Sequence, residues 1–207
     1  VTVRAVVFDF GGVLFDWNPE YLYRELIPDP QERARFLSEV CSPAWNIRQD
    51  AGRPLHEATE SLVAEHPAQA GLIRAFYGRW PQMLRGTLAD GVALLQRLHD
   101  AQVPLFGLTN WSSETYPHAV RIGDFLSWFR DILVSGEVGV AKPDPAIYRL
   151  MQARIDASLP GVAPGELLFI DDNAANVAAA TALGWQAVQH ASAARTASAL
   201  RAAGLHF

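Results

Sequence analysis

The sequence predicts an α/β protein: a doubly wound parallel sheet interrupted near its start by an inserted helical unit. Three observations carry this. Short apolar runs rich in Val, Ile, Leu and Phe recur at Arg4–Phe10, Val103–Leu108, Ile132–Val134, Leu167–Ile170 and, more weakly, Gln186–Val188. Such runs, lacking apolar/polar alternation, mark parallel strands buried on both faces. Helix-period stretches at Ser113–Ile122, Pro145–Ala157 and Ala174–Leu183 lie between them, and strands alternating with helices specify a parallel sheet. The interval from about residue 16 to residue 84 breaks that rhythm with helical periodicity, scattered prolines and no convincing strand.

Taken in order, the first strand stops at Asp9-Phe10-Gly11-Gly12, where two glycines let the backbone turn sharply and come close to a ligand. The interrupting segment predicts helices at Glu20–Leu26, Gln31–Val40, Leu55–Glu65 and Ala68–Trp80, punctuated by prolines. The expected organisation is therefore a catalytic core of residues 1–15 plus 85–207 and a helical cap of residues 16–84. Beyond the cap, Val92, Leu95 and Leu98 share a helix face. Asp144 suits an N-cap and Pro145 the first helical position, so Lys142 falls on a stiff loop. Asn173 caps the following helix and Gly184 stops it. The Ala-rich C-terminal stretch reads as one more helix.

Composition narrows the function classes. Half of the 207 residues are hydrophobic and 19% are charged, which is the balance of a folded globular chain. A net charge of -5 without a basic run argues against nucleic-acid binding, which depends on clustered Lys and Arg. Cys41 is the single cysteine; it has no partner for an internal disulfide and fits a reducing compartment. The apolar run at Val6–Phe10 is far shorter than a membrane span and no basic leader precedes it. The expectation is a cytoplasmic protein, monomeric or weakly dimeric, with no membrane or nucleic-acid partner.

Open parallel sheets bind ligands beyond the carboxyl ends of their strands. The residues there are Asp9, then Thr109 and Asn110, then Asp171 and Asp172, with Lys142 in the loop after the third strand. Three carboxylates, a hydroxyl, an amide and an ammonium thus converge on one crevice. Electrostatics gives the set a meaning: a phosphate repels an Asp nucleophile unless a divalent cation held by carboxylates neutralises both. Asp9, Asp171 and Asp172 can hold Mg²⁺, which prefers hard oxygen ligands. Lys142, Thr109 and Asn110 can bind the phosphoryl oxygens. In-line attack by Asp9 would give an aspartyl-phosphate that water hydrolyses. Trp111 stands at the mouth of the crevice and is a candidate substrate contact. Trp17, Trp45, Trp80, Phe76 and Tyr77 either line the pocket or fill the cap's core. Arg48 and Asp50 either approach the ligand or form surface contacts. The six histidines form no ligand pattern.

The strings VVFDFGGVL, LTNWS, AKPDP with IY, and FIDDNAANV with ALG resemble, in order, the four motifs of the haloacid dehalogenase superfamily. The helical insertion after the first motif resembles the cap of the subgroup holding 2-haloacid dehalogenases and many small-molecule phosphatases. Within it the chain most resembles sugar-phosphate phosphatases whose first motif also has Gly two places after the nucleophile, as Gly11 follows Asp9 here. By that resemblance Asp9 is nucleophile and metal ligand, the Gly11 carbonyl is a further ligand, and Asp172 binds Mg²⁺ with Asp171 ligating or supporting it. Thr109, Asn110 and Lys142 then hold the phosphate of a small phosphorylated metabolite.

The chain departs from the phosphatase pattern at Gly11, where most members have a second Asp that protonates the leaving group and activates water. Acid and base assistance is typically worth about 100- to 10,000-fold. The expected consequence is slow turnover, or a preference for leaving groups that need little protonation, such as an anomeric hydroxyl or a phenol. Asp16 is a candidate substitute. The same departure keeps two rivals in play: a 2-haloacid dehalogenase, and a phosphate-binding module with little turnover.

Overall fold

The structure, a computed structural model, describes residues 2–207. Its central sheet has five parallel strands in the spatial order β5-β4-β1-β6-β7. In chain order these are β1 (Ala5–Phe8), β4 (Leu105–Thr109), β5 (Asp131–Val134), β6 (Leu167–Asp171) and β7 (Gln186–Gln189). The two remaining strands, β2 (Phe15–Trp17) and β3 (Leu84–Thr87), form a small antiparallel ribbon. This ribbon departs from the sequence expectation of no strand in that region. A three-residue segment beside Gly11-Gly12 and a Leu-Arg-Gly-Thr segment carry too little periodicity to be read alone; they become strands by pairing with each other.

Between β2 and β3 lie α1 (Glu20–Leu26), α2 (Pro30–Glu39), α3 (Pro43–Asp50), α4 (Leu55–Glu65) and α5 (Ala70–Gly78). Helix α3 was not anticipated, because Pro43 and the mixed polarity of AWNIRQD hide its face. Locally it is well specified: Pro43 sits in the first turn and the Ser42 hydroxyl accepts the Trp45 N–H, satisfying a free donor at the helix start. The helix expected over 68–80 is broken into Pro67–Gln69 and Trp80–Met83, both 3₁₀, around α5. The rest of the chain supplies α6 (Ala89–Asp100), α7 (Tyr116–Ile122), α8 (Ser135–Val138), α9 (Pro145–Ser158), α10 (Ala174–Ala182) and α11 (Ala193–Ala202). The expected caps Asp144 and Asn173 accept the N–H groups of Ala146 and Ala175.

Alternate side chains of the buried strands feed separate cores, as the two-residue period requires. Val6, Phe8, Leu105, Leu168 and Ile170 pack with Leu94, Leu95, Leu98 and Leu200 on one face. Ala5, Val7, Phe106, Leu108 and Phe169 pack with Ile147, Tyr148, Met151 and Ile155 on the other. With helices on both faces, the ends of β1, β4 and β6 are held in fixed register, and their last residues meet in one crevice. Among the described residues no helix is long and apolar enough to cross a membrane.

Candidate active site

The floor of the crevice is a buried ionic knot. Strand β1 carries Asp9 one residue past its end, with the Asp9 N–H still donating to the Ile170 carbonyl at 2.8 Å. Lys142, 2% exposed, places its Nζ 2.8 Å from Asp9 Oδ1 and 2.7 Å from Asp171 Oδ2, and donates to the Leu108 carbonyl at 2.9 Å. An ammonium has three protons, and here each finds an acceptor. The backbone of Lys142 is pinned in turn by Asn110: its N–H donates to Asn110 Oδ1 at 2.8 Å, and Asn110 Nδ2 donates to its carbonyl at 2.9 Å. Asn110 thus positions Lys142 through two backbone contacts.

Asp171 is fully buried. Besides Lys142 it accepts the Asn173 N–H at 2.8 Å and both its oxygens accept from Asn176 Nδ2, at 3.1 and 3.0 Å. Asn176, which the sequence reading passed over, lies one turn into α10 on its buried side; its signal is an amide on the inner face of an otherwise Ala-rich helix. Asp172 is exposed beside the glycine turn. Gly12 makes that approach possible: its φ is +68°, and a Cβ there would stand 2.4 Å from Asp172 Oδ2. Asp9, Asp171 and Asp172 each offer an oxygen, and these atoms lie within 4.8 Å of one another.

The charges do not balance. Three carboxylates face one ammonium, and three negative less one positive leaves two negative charges. Accordingly, burial raises the Asp9 carboxyl against the opposing pull of Lys142, with Asp171 adding to the rise. Burial and then Asp171 also raise Asp172. Burial disfavours the Lys142 charge, but Asp9 and Asp171 outweigh it and hold its pKa above the ordinary lysine range. The donor set fits a hard divalent cation in oxygen type, spacing and charge. Both hydrogen bonds of Asp9, from Phe10 N–H and Lys142, fall on Oδ1, so Oδ2 is the oxygen available to attack. Thr109 Oγ1, at the end of β4, is buried without a hydrogen-bond partner, as suits a hydroxyl reserved for a ligand oxygen.

Above this floor is a hollow of about 70 Å³, lined by Gly11, Trp17, Asn46, Asp50, Trp80, Asn110, Trp111 and Thr115. Trp80 packs on Trp111 at 5.7 Å between ring centres, and the indole N–H groups of Trp17 and Trp111 are buried without acceptors. Trp45, Phe76 and Tyr77 instead pack together among the cap helices. Arg48 is exposed. Asp16 does not line the hollow; it accepts the Tyr21 hydroxyl at 2.7 Å. The cap meets the core where the Ser135 hydroxyl donates to the Asp50 carbonyl and Glu114 Oε1 accepts the Leu55 N–H at 2.8 Å.

Comparison with known proteins agrees with this geometry. Residues 3–184 match the model of the haloacid dehalogenase-like hydrolases. A sesquiterpene phosphatase of Aspergillus oryzae is 29% identical over 88% of this chain and 87% of its own length. The (S)-2-haloacid dehalogenase 1 of a Pseudomonas species is likewise 29% identical, over 90% of this chain and 84% of its own. Among solved structures, a HAD-family enzyme of Bacteroides thetaiotaomicron in complex with magnesium and inorganic phosphate superposes with a TM-score of 0.65 at 19% identity, covering 92% of this chain and 95% of the other. From the order of its motifs, the crevice they build and the family match across most of its length, this chain belongs to the haloacid dehalogenase-like hydrolases.

Proposed function

We propose that the chain is a Mg²⁺-dependent phosphatase of a small phosphorylated metabolite, sugar phosphates first among the candidates, acting through an aspartyl-phosphate on Asp9. The observation that carries this reading is the uncompensated charge of the floor. A carbon-directed Asp nucleophile gains nothing from two further carboxylates beside it, whereas a cation site needs them. When bound, Mg²⁺ would be held by Asp9, Asp172, the Gly11 carbonyl and Asp171 directly or in support, and would supply the positive charge that lets two anions meet. The fold neighbour crystallised with magnesium and phosphate supports that cofactor.

The chain's own residues do the rest. Thr109 Oγ1 donates to a phosphoryl oxygen. The Lys142 ammonium, its three protons held by Asp9, Asp171 and Leu108, orients Asp9 and adds positive charge beside the phosphoryl group, and Asn110 holds Lys142 in place. Asp9 Oδ2 attacks phosphorus as the bond to the leaving oxygen breaks; water then attacks the phosphorus of the aspartyl-phosphate, releasing phosphate and restoring Asp9. The hollow is lined from both sides, by Asn46 and Asp50 of the inserted segment and by Asn110 and Trp111 of the core, so movement of the cap helices would admit substrate and close over it. Indole faces with Asn46 and Asp50 at the rim suit a sugar, whose C–H faces stack on rings while its hydroxyls bond to amide and carboxylate. The three indoles also accommodate an isoprenoid phosphate, and the sesquiterpene phosphatase relative favours including that class.

The test is phosphate release over a panel of sugar and isoprenoid phosphates with Mg²⁺, with Asp9→Asn as control. Release that stops with EDTA and in the variant supports the reading. Halide release from 2-chloropropionate without metal, and no phosphate from any ester, would replace it with dehalogenation. Tight ester binding with no release would make the chain a binding module.

A further inference from the structure

We infer that Asp50, carried into the crevice by α3 of the cap, is the acid and base that Gly11 cannot provide. This rests on the phosphatase reading. Three features of its placement support it. Asp50 lines the same hollow as Gly11 and Asn110. It is the last residue of α3, where the negative end of the helix dipole disfavours a carboxylate. Its neighbours are neutral donors: Asn46 Nδ2 at 2.9 Å, itself oriented by the Tyr77 hydroxyl on Asn46 Oδ1 at 2.8 Å, and the Ser112 N–H. A half-buried carboxyl in a cleft, held by neutral donors and without a paired cation, is a candidate functional group.

The surroundings also set its protonation. Burial pushes the Asp50 carboxyl up to about 7, partly offset by the Ser112 N–H, which is the range where one group both gives and takes a proton near neutrality. The titratable and charged groups around it are engaged elsewhere. Arg48 on α3 is exposed, Tyr77 of α5 bonds to Asn46, Glu114 takes the Leu55 N–H, and Asp9 and Lys142 on the floor are paired with each other. In the first half-reaction the Asp50 proton moves to the ester oxygen as its bond to phosphorus breaks, and a neutral alcohol leaves. In the second, the Asp50 carboxylate takes a proton from the attacking water, so the pair of steps returns both Asp9 and Asp50 to their starting forms.

Gly11 supplies the control. A Cβ at Gly11 would meet nothing within 4 Å, so an Asp can be installed at the usual position without crowding. The experiment compares wild type, Asp50→Asn and Gly11→Asp/Asp50→Asn, all with Mg²⁺, on p-nitrophenyl phosphate and on an alkyl phosphate whose leaving group needs a proton. For Asp50→Asn the expected result is a loss of about 100-fold or more in kcat on the alkyl ester and a much smaller loss on the aryl ester. The alkaline limb of the pH profile should disappear, and the double variant should recover alkyl turnover. Equal losses on both esters, or an unchanged pH profile, would overturn the role of Asp50 while leaving the phosphatase reading intact. Wild type that releases phosphate from neither these esters nor the metabolite panel would overturn both.

Discussion

The floor and the roof of the crevice are built on opposite principles. On the floor, Asp9, Lys142, Asp171, Asn110 and Asn176 hold one another through hydrogen bonds, with all but Lys142 fixed at the end of a strand or the start of a helix and Lys142 pinned in its loop by Asn110. The roof is three indoles, two of them with unsatisfied N–H groups, and one half-buried carboxyl, with Trp17, Trp80 and Asp50 coming from the inserted segment and Trp111 from the loop after β4. A rigid polar floor suits chemistry that requires fixed distances. An aromatic roof shared by the inserted segment and the core suits contact with the organic part of a substrate. On the phosphatase reading, reaction type belongs to the floor and substrate choice to the roof.

Breaking the floor should have the largest effect. Asp9→Asn keeps shape but removes the nucleophile, and turnover should fall by at least about 10⁴-fold, as measured by phosphate release. Lys142→Met strands Asp9 and Asp171 side by side in a buried site. Removing one member of a buried ionic set costs about 3–5 kcal/mol, so urea unfolding should show a destabilisation of that order together with loss of activity. A variant as stable as wild type would mean that the knot is not a structural unit.

Gly12→Ala probes how closely the glycine turn and the metal site are coupled. The new methyl would meet Asp172 Oδ2 from a backbone held at positive φ, so Asp172 must shift. Titration calorimetry should then show Mg²⁺ affinity reduced by about 10-fold or more, in line with losses when a ligand's support is disturbed. Unchanged affinity would remove Asp172 from the ligand set.

The roof is tested by its response to pH. A carboxyl whose pKa is raised by folding binds its proton more tightly folded than unfolded. The stabilisation from the protonated Asp50 is therefore complete below the ordinary carboxylate range and is lost as pH rises towards about 7. Asp50→Asn stays neutral throughout, so its stability relative to wild type should increase between about pH 4 and 7. A constant difference across that interval would show that the Asp50 carboxyl is not enclosed in solution.

The same division explains what the sequence could reveal. Asp9, Thr109 and the Asp171-Asp172 pair stand at strand ends, which are legible because an apolar run stops abruptly at a polar residue, and Lys142 is legible from the Pro-Asp-Pro that follows it. Their convergence follows from parallel topology alone. Asn176 was passed over because its role depends on which face of α10 turns inward. The roof was legible only as a list of aromatic and charged candidates. Trp17 and Trp80 line the hollow while Trp45 packs on Phe76 and Tyr77 inside the cap, a distinction set by tertiary packing and written in no local pattern. Asp16 lies near the nucleophile in sequence but bonds to Tyr21, whereas Asp50, forty-one positions beyond Asp9, reaches the hollow because α3 docks at Ser135. The ribbon of β2 and β3 escaped for a related reason: neither strand is recognisable without the other.

The account depends most on phosphorus, not carbon, being the atom that Asp9 attacks. The direct measurement is acid quenching during turnover of a phosphate ester with Mg²⁺, followed by mass spectrometry of the peptide containing Asp9, with parallel turnover in ¹⁸O-labelled water. The account predicts a phosphoryl adduct on Asp9, with the label appearing in released phosphate and absent from the Asp9 carboxylate. Label entering the Asp9 carboxylate, or a phosphoryl group trapped on a different side chain, would contradict it.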